Sequence, residues 1–358
     1  MHRRFIAGLF WAAMLPSTQA MAERPPADVC TAELGRYSAD EQISSCTIDI
    51  QSGVLSAENL AIAYHNRALA YEDKRDYDSA LSDLNQAIAL DPQYARAYDG
   101  RGNVYADKDD YDHAIADFNQ AIALDPRDPF PYNNRGTVYN EMGAYTHTDT
   151  YFWRAVVDFN KAIELEPQIP EPYNNRGLAY AQLHQYDLAI ADFGQAITLA
   201  PQFAKPHKNR ADAFQHKGDY DSAIADDDQA IALNPRFADA YFDRGKAHAN
   251  KGDYDLAIPD YTQAIALDPR HAQAYYHRGI AYVNKNDNDR ALADEDAAIR
   301  LNPNLALAYY FRATIYRDKG DYDRALADID EYIRLAPSDP DGPTERAGIV
   351  AAKRGHSN

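Results

Sequence analysis

Pro92, Pro126, Pro167, Pro201, Pro235, Pro269, Pro303 and Pro337 fall 34 residues apart, with one interval of 41. A fixed period of that length means one small unit repeated and stacked, so the 358 residues are not to be divided into ordinary globular domains by length. The stretch from Ala238 to His271, ADAYFDRGKAHANKGDYDLAIPDYTQAIALDPRH, shows the unit. Two amphipathic segments of about 13 residues are divided by a Gly-Asp-Tyr turn and closed by Asp-Pro. Proline lacks the N–H that a continuing helix needs, so it ends each second segment.

Small residues recur on the first segment of every unit: Ala68, Gly102, Gly136, Gly177, Ala211, Gly245, Gly279 and Ala313. They let helix backbones approach closely. Large ones, among them Tyr71, Tyr105, Tyr139 and Tyr180 with Phe118, Phe159, Phe193 and Tyr261, are expected to fill the space between hairpins. Small-x-x-Tyr, then Ala-x-x-x-aromatic, then Ala and a terminal Pro on this period resembles the tetratricopeptide repeat. The resemblance covers residues 61–339, as units 61–94, 95–128, 129–169, 170–203, 204–237, 238–271, 272–305 and 306–339. It implies an all-α fold, an α-solenoid in which stacked hairpins form a right-handed superhelix. It further implies that the first helices line a concave groove for peptides or protein segments.

One departure from the family pattern is informative. Each first segment carries an arginine (Arg67, Arg101, Arg135, Arg176, Arg210, Arg244, Arg278, Arg312), and each second one an aspartate (Asp83, Asp117, Asp158, Asp192, Asp226, Asp260, Asp294, Asp328). Opposite charges repeated in step predict ion pairs between packed helices, because burying either alone would be costly.

The ends read differently. Arg3 and Arg4 precede the apolar run from Phe5 to Leu15, and Ala20-Met21-Ala22 supplies a cleavage pattern, so residues 1–22 read as a secretory signal peptide. A periplasmic or secreted protein is expected, with no membrane insertion. The formal net charge of -19 becomes more negative when that leader is lost, which argues against nucleic-acid partners. Cys30 and Cys46, an even pair in an exported chain, are expected to be bonded. Residues 23–60 then form an N-terminal segment and capping helix, opened by a Ser38 and Glu41 capping box, and residues 340–358 a C-terminal capping helix and tail.

No phosphate loop, HExxH or nucleophile elbow is present, so no enzyme, cofactor or metal site is expected. His207 and His216 lie off a shared face. The run from Asn284 to Glu295 has oxygen donors at calcium-loop spacing, but Asp289 stands where such a loop needs glycine. Candidate binding residues lie on the first segments: the polar and basic set Asn174, Asn175, Lys205, Lys208 and Asn209, and the apolar set Phe242, Tyr276, Ile280 and Tyr310. Seven extra residues between Tyr145 and Ala155 bring in Tyr151, Phe152 and Trp153 as a second candidate contact, projecting as about two added helical turns. Asp227 and His248, two polar departures in adjacent units, are candidates for a hydrogen-bonded pair. The expected function is a monomeric adaptor that holds proteins or peptides; the rival is a permanent subunit of an envelope or export assembly.

Overall fold

The computed structural model describes Cys30 and residues 37–356. The expected signal peptide therefore lies outside the described residues. Every regular element described is a helix, and the chain divides into two compact units, Met1–Leu183 and His184–Asn358.

The first unit holds α1 (Ala39–Ser52), α2 (Ala57–Asp73), α3 (Tyr77–Leu90), α4 (Ala95–Asp107), α5 (Tyr111–Leu124), α6 (Pro129–Thr146), α7 (Asp149–Leu165) and α8 (Pro170–Gln182). The second holds α9 (Tyr186–Leu199), α10 (Ala204–His216), α11 (Tyr220–Leu233), α12 (Ala238–Asn250), α13 (Tyr254–Leu267), α14 (Ala272–Asn284), α15 (Asn288–Leu301), α16 (Ala306–Asp318), α17 (Tyr322–Leu335) and α18 (Asp341–His356). The even-numbered helices from α2 to α16 are the first helices of the hairpins. Within each unit, consecutive first helices touch one another as well as their own second helices, which makes the first-helix side the tighter side of the stack.

A small-to-large pairing, sixteen residues apart except across the insertion of the third repeat, where it is 23, sets the spacing of the hairpins. A Cβ at Gly102 would lie 2.7 Å from the Phe118 ring, at Gly136 2.7 Å from Phe159, and at Gly245 2.8 Å from Tyr261. Glycine is therefore required opposite an aromatic ring. Where the small residue is alanine the large one shrinks, as in Ala68 with Leu84 and Ala313 with Ile329, all fully buried. The disulfide between Cys30 and Cys46 has the same sequence separation of 16, and Cys46 on α1 is fully buried, as Leu84 and Phe118 are. Asn66 donates to the Cys30 carbonyl at 2.8 Å and Arg67 to Thr47 at 2.9 Å, which docks this covalently closed end on α2. The capping box is formed: Ser38 accepts from the Glu41 N–H while Glu41 accepts from the Ser38 N–H at 2.8 Å.

The repeated charges pair as expected. Arg67 with Asp83, Arg101 with Asp117, Arg135 with Asp158, Arg210 with Asp226, Arg244 with Asp260, Arg278 with Asp294 and Arg312 with Asp328 make two-pronged pairs on nearly buried aspartates. Arg176 and Asp192 belong to different units. The structure adds a third prong, which reaches back to the preceding second helix: Arg101 to Asn85 at 2.6 Å, Arg278 to Thr262 at 3.0 Å and Arg312 to Asp296 at 2.6 Å. Each of these three arginines thus joins two repeats, and stranding its buried aspartate would cost about 3–5 kcal/mol.

A second bridge lies at the turns. Lysines at the ends of first helices reach aspartates in the first turn of the preceding second helix, in the pairs Lys108 with Asp78 (3.0 Å), Lys285 with Asp255 (2.9 Å), Lys319 with Asp289 (2.6 Å), Lys217 with Asp187, Lys251 with Asp221 and Lys353 with Asp323. A cation at a helix C-terminus and an anion at an N-terminus each suit the local dipole. Lys353 and Arg346, which meets Asp330 at 2.6 Å, repeat the partners of Lys319 and Arg312, so α18 acts as one more first helix.

Candidate functional site

In the first unit the first-helix face carries a directed chain of hydrogen bonds. The Asn174 amide donates to Asn175 (3.2 Å), Asn175 to Asn133 (3.1 Å), Asn133 to Asn134 (3.4 Å), and Asn134 to the Asp99 carboxylate (3.0 Å). A primary amide both donates and accepts, so a column of them can hand bonds from repeat to repeat with a carboxylate as final acceptor. Burial nevertheless pushes Asp99 up to about 7, against the opposing effect of Asn134. Glu72 is pushed up to about 8 by burial and by the negative charges of Asp107, Asp73 and Asp99. Asn174 is itself buried; Asn175 is half-buried and engaged with its neighbours.

The second unit carries different chemistry on the equivalent face. Rings follow one another from His271 to Phe242 (4.6 Å between centroids), Phe242 to His277 (5.4 Å), His277 to Tyr276 (5.0 Å), Tyr276 to Phe311 (5.7 Å), Phe311 to Tyr310 (5.9 Å) and Tyr310 to Tyr332 (5.1 Å). Most of these contacts are tilted or edge-on, as ring quadrupoles prefer. Of the sequence candidates, Phe242, Ile280 and Tyr310 are half-buried, whereas Tyr276 is 5% exposed and packs against Ala298 and Ala308. Tyr276 is thus part of the wall that supports the other two rings.

The basic candidates at the fifth repeat are already engaged. The Lys208 ammonium lies 2.8 Å from Asp243, which also receives Lys246 at 3.1 Å, so one carboxylate holds two cations. These charges keep Asp243 below the usual carboxylate range and Lys208 above the usual ammonium range, in both cases against burial. Lys246 also lies 5.4 Å from the Phe242 ring centre. Lys205 and Asn209 are half-buried on α10, and burial lowers Lys205. Asp243 and Lys246 carried no signal in the sequence beyond their places on a first helix.

Two carboxyl groups occupy slots that hold Leu84, Phe118, Phe159 or Tyr261 in other repeats. Asp227 and Glu295 are fully buried, and none of their four carboxyl oxygens has a hydrogen-bond partner. Burial pushes both to about 9. The expected Asp227–His248 pair does not form: Asp227 and the His248 Nδ1 both lack partners, and His248 Nε2 instead lies 4.0 Å from Asp260. Glu295, which the sequence offered as a twelfth calcium-loop donor, points into the core over Gly279.

The insertion in the third repeat is shared between two helices rather than added to one. α6 runs to Thr146 and α7 starts at Asp149, giving 18 and 17 residues where neighbouring hairpins such as α4 and α5 have 13 and 14. The turn moves outward with them, through His147 in the left-handed conformation at φ 52°. The three aromatics separate. Phe152, 4% exposed, seals against Gly143 and is core rather than contact surface; Tyr151 stacks on Tyr139 at 6.3 Å; Trp153 remains 45% exposed.

Among the described residues no group of histidine, cysteine, aspartate or glutamate has metal-site geometry, and no helix is long and apolar enough to cross a membrane. A tetratricopeptide-repeat protein of Parabacteroides merdae is similar in structure over 74% of this chain and 100% of its own, at 19% identity and a TM-score of 0.53. PilW, a type IV pilus biogenesis factor, matches over 59% of this chain and 94% of its own, at 22% identity and 0.53. The pilF protein of Pseudomonas aeruginosa matches over 60% and 94%, at 20% and 0.52. At these identities the likeness is one of fold. No curated protein matches the sequence. Tetratricopeptide repeat models match residues 61–94 and 170–203, and 242–306 and 279–340; a TPR repeat model matches 102–143 and 211–252. With its hairpins, its period and these matches in agreement, the chain belongs to the tetratricopeptide repeat proteins.

Proposed function

We propose that the protein is an exported, non-enzymatic scaffold that holds peptide or protein segments against its first-helix faces, in a periplasmic or secreted setting. The observation that carries this reading is two half-buried rings fixed by their neighbours: Phe242, packed on Tyr261, His271 and His277, and Tyr310, packed on Phe311 and Tyr332. Rings fixed by packing and open on one side offer contact area at small entropic cost. Lys205, with Lys208 and Lys246 around Asp243, gives the neighbouring stretch its polar contacts, and Ile280 extends the apolar one. The amides from Asn174 and Asn175 onward would pair with a bound backbone in the first unit. The disulfide is compatible with export, as is the absence of a membrane-spanning helix among the described residues.

The test is selection of short peptides from a random library on the full chain, followed by Phe242→Ala and Tyr310→Ala. The expected result is weakening of selected peptides by about 1–2 kcal/mol or more per ring, with helical content and unfolding midpoint nearly unchanged. Peptides that bind both variants as tightly as the wild type would remove this face as the site.

A further inference from the structure

The outer face of α7 breaks the rule that the other second helices keep. At the place of Trp153 the other repeats have Asp78, Asp112, Asp187, Asp221, Asp255, Asp289 and Asp323, most of them anchoring the lysine bridges at the turns. The lysine position of the following first helix is Leu183 here, so both ends of that bridge are apolar. One turn along, Val157 stands where the others have Ser82, Ala116, Ala191, Ala225, Pro259, Ala293 and Ala327. The stack is built repeatedly with an acid and a small residue at these places, so it has no need of tryptophan and valine. Yet Trp153 is 45% and Val157 66% exposed, and Val157 continues into an open cleft of about 460 Å³ walled by Tyr132, Asn160, Lys161 and Glu164.

We propose that this face is a docking site, separate from the first-helix faces, for an amphipathic helix of another protein that is apolar along one stripe and basic on its flanks. Trp153 and Val157 lie four residues apart, the spacing at which a helix presents one stripe to a partner stripe. The charges around it favour a basic partner. The two cations of α7 are occupied internally, Arg154 over the Tyr139 and Tyr151 rings and Lys161 on Glu164 at 2.9 Å. Exposed Asp149 remains in its first turn, and exposed Asp112 of α5 lines an open cleft with Met142, Tyr145 and Thr146 of α6. A net charge of -19 on each chain opposes a second copy as the occupant.

The experiment uses the full chain with Trp11→Phe, so that Trp153 is the one fluorophore of its type. The probes are synthetic 18-residue helical peptides: a leucine stripe flanked by lysine, the same stripe flanked by glutamate, and an alanine stripe flanked by lysine. The first is expected to bind and shift the Trp153 emission to the blue, and the other two to bind at least tenfold more weakly. Trp153→Asp with Val157→Ala installs the residues of the other repeats, so the fold should survive with an unchanged melting curve while labelled-peptide binding falls at least tenfold. Phe242→Ala with Tyr310→Ala should leave this binding intact, which separates it from failure of the first-helix site. Equal binding to the Trp153→Asp/Val157→Ala variant, preference for the glutamate peptide, or self-association abolished by that variant would overturn the proposal.

Discussion

The two units solve the same packing problem with different chemistry. In the first, the slots between hairpins are filled by Leu84, Phe118 and Phe159, and polarity lies at the first-helix face in the amide chain that ends on Asp99. In the second, aromatic rings line that face, while two of the slots hold the unpartnered carboxyl groups of Asp227 and Glu295. The lesson is that a solenoid tolerates a poor slot when good ones adjoin it. Tyr261 fills the slot between the two acids in sequence order, and the arginine bridges run past all of them. Stability in such an array is a sum of local and nearest-neighbour contributions, so a weak junction lowers the total without abolishing the fold.

Truncating one slot in each unit breaks this comparison most sharply. Phe118→Ala removes a fully buried ring and should destabilise the first unit by about 3–5 kcal/mol. Asp227→Ala, at the equivalent slot, removes a buried carboxyl with no partner and should be neutral or stabilising. Urea unfolding of both variants checks the contrast; equal losses would mean that Asp227 has a stabilising role equal to a packed ring.

Raising the pH should act in the same sense. An acid whose folded value, about 9 for both Asp227 and Glu295, exceeds its unfolded value of about 4 disfavours the folded state once the unfolded chain can ionise. Stability from this source is greatest below pH about 4 and is lost as pH rises through about 9. Burial is the main cause for both; around Asp227 the charges of Asp243 and Asp212 add to it while Lys208 and Arg244 oppose it, and around Glu295 Asp294 and Asp296 add to it while Arg312 opposes it. Glu72 and Asp99 add the same sign from the first unit, so the readout is a difference. Melting temperature should fall from pH 5 to pH 9 in the wild type and fall less in Asp227→Asn with Glu295→Gln. Parallel curves would show that the two acids do not titrate as described.

The smallest expected effect is on the amide chain. Asn134→Ala deletes the donor to Asp99 and should cost about 1 kcal/mol while raising the Asp99 value above about 7, which carbon-detected titration of that carboxyl would record. An unchanged titration would show that the chain ends elsewhere.

The sequence by itself determined the repeat, the helix pairs, the proline stops and the arginine–aspartate pairs, because each rests on residue spacing or on a charge too costly to bury alone; the cysteine bond was expected on a different ground, an even pair in a chain read as exported. Period and spacing are written in the chain in register. What the tertiary structure decided was the fate of residues whose environment comes from neighbouring hairpins. Lys208, a binding candidate in the sequence, is claimed by Asp243 of the next first helix; Tyr276, read as contact surface, is sealed by Ala298 and Ala308; Glu295, at the end of a spacing that the sequence already argues against as a calcium loop, is buried over Gly279. The three aromatics of the insertion were indistinguishable in sequence, and only the sharing of seven residues between α6 and α7 turned Phe152 inward and left Trp153 in water. A helix period gives the face of its own helix, whereas burial depends on which residues the adjoining repeats bring to that face.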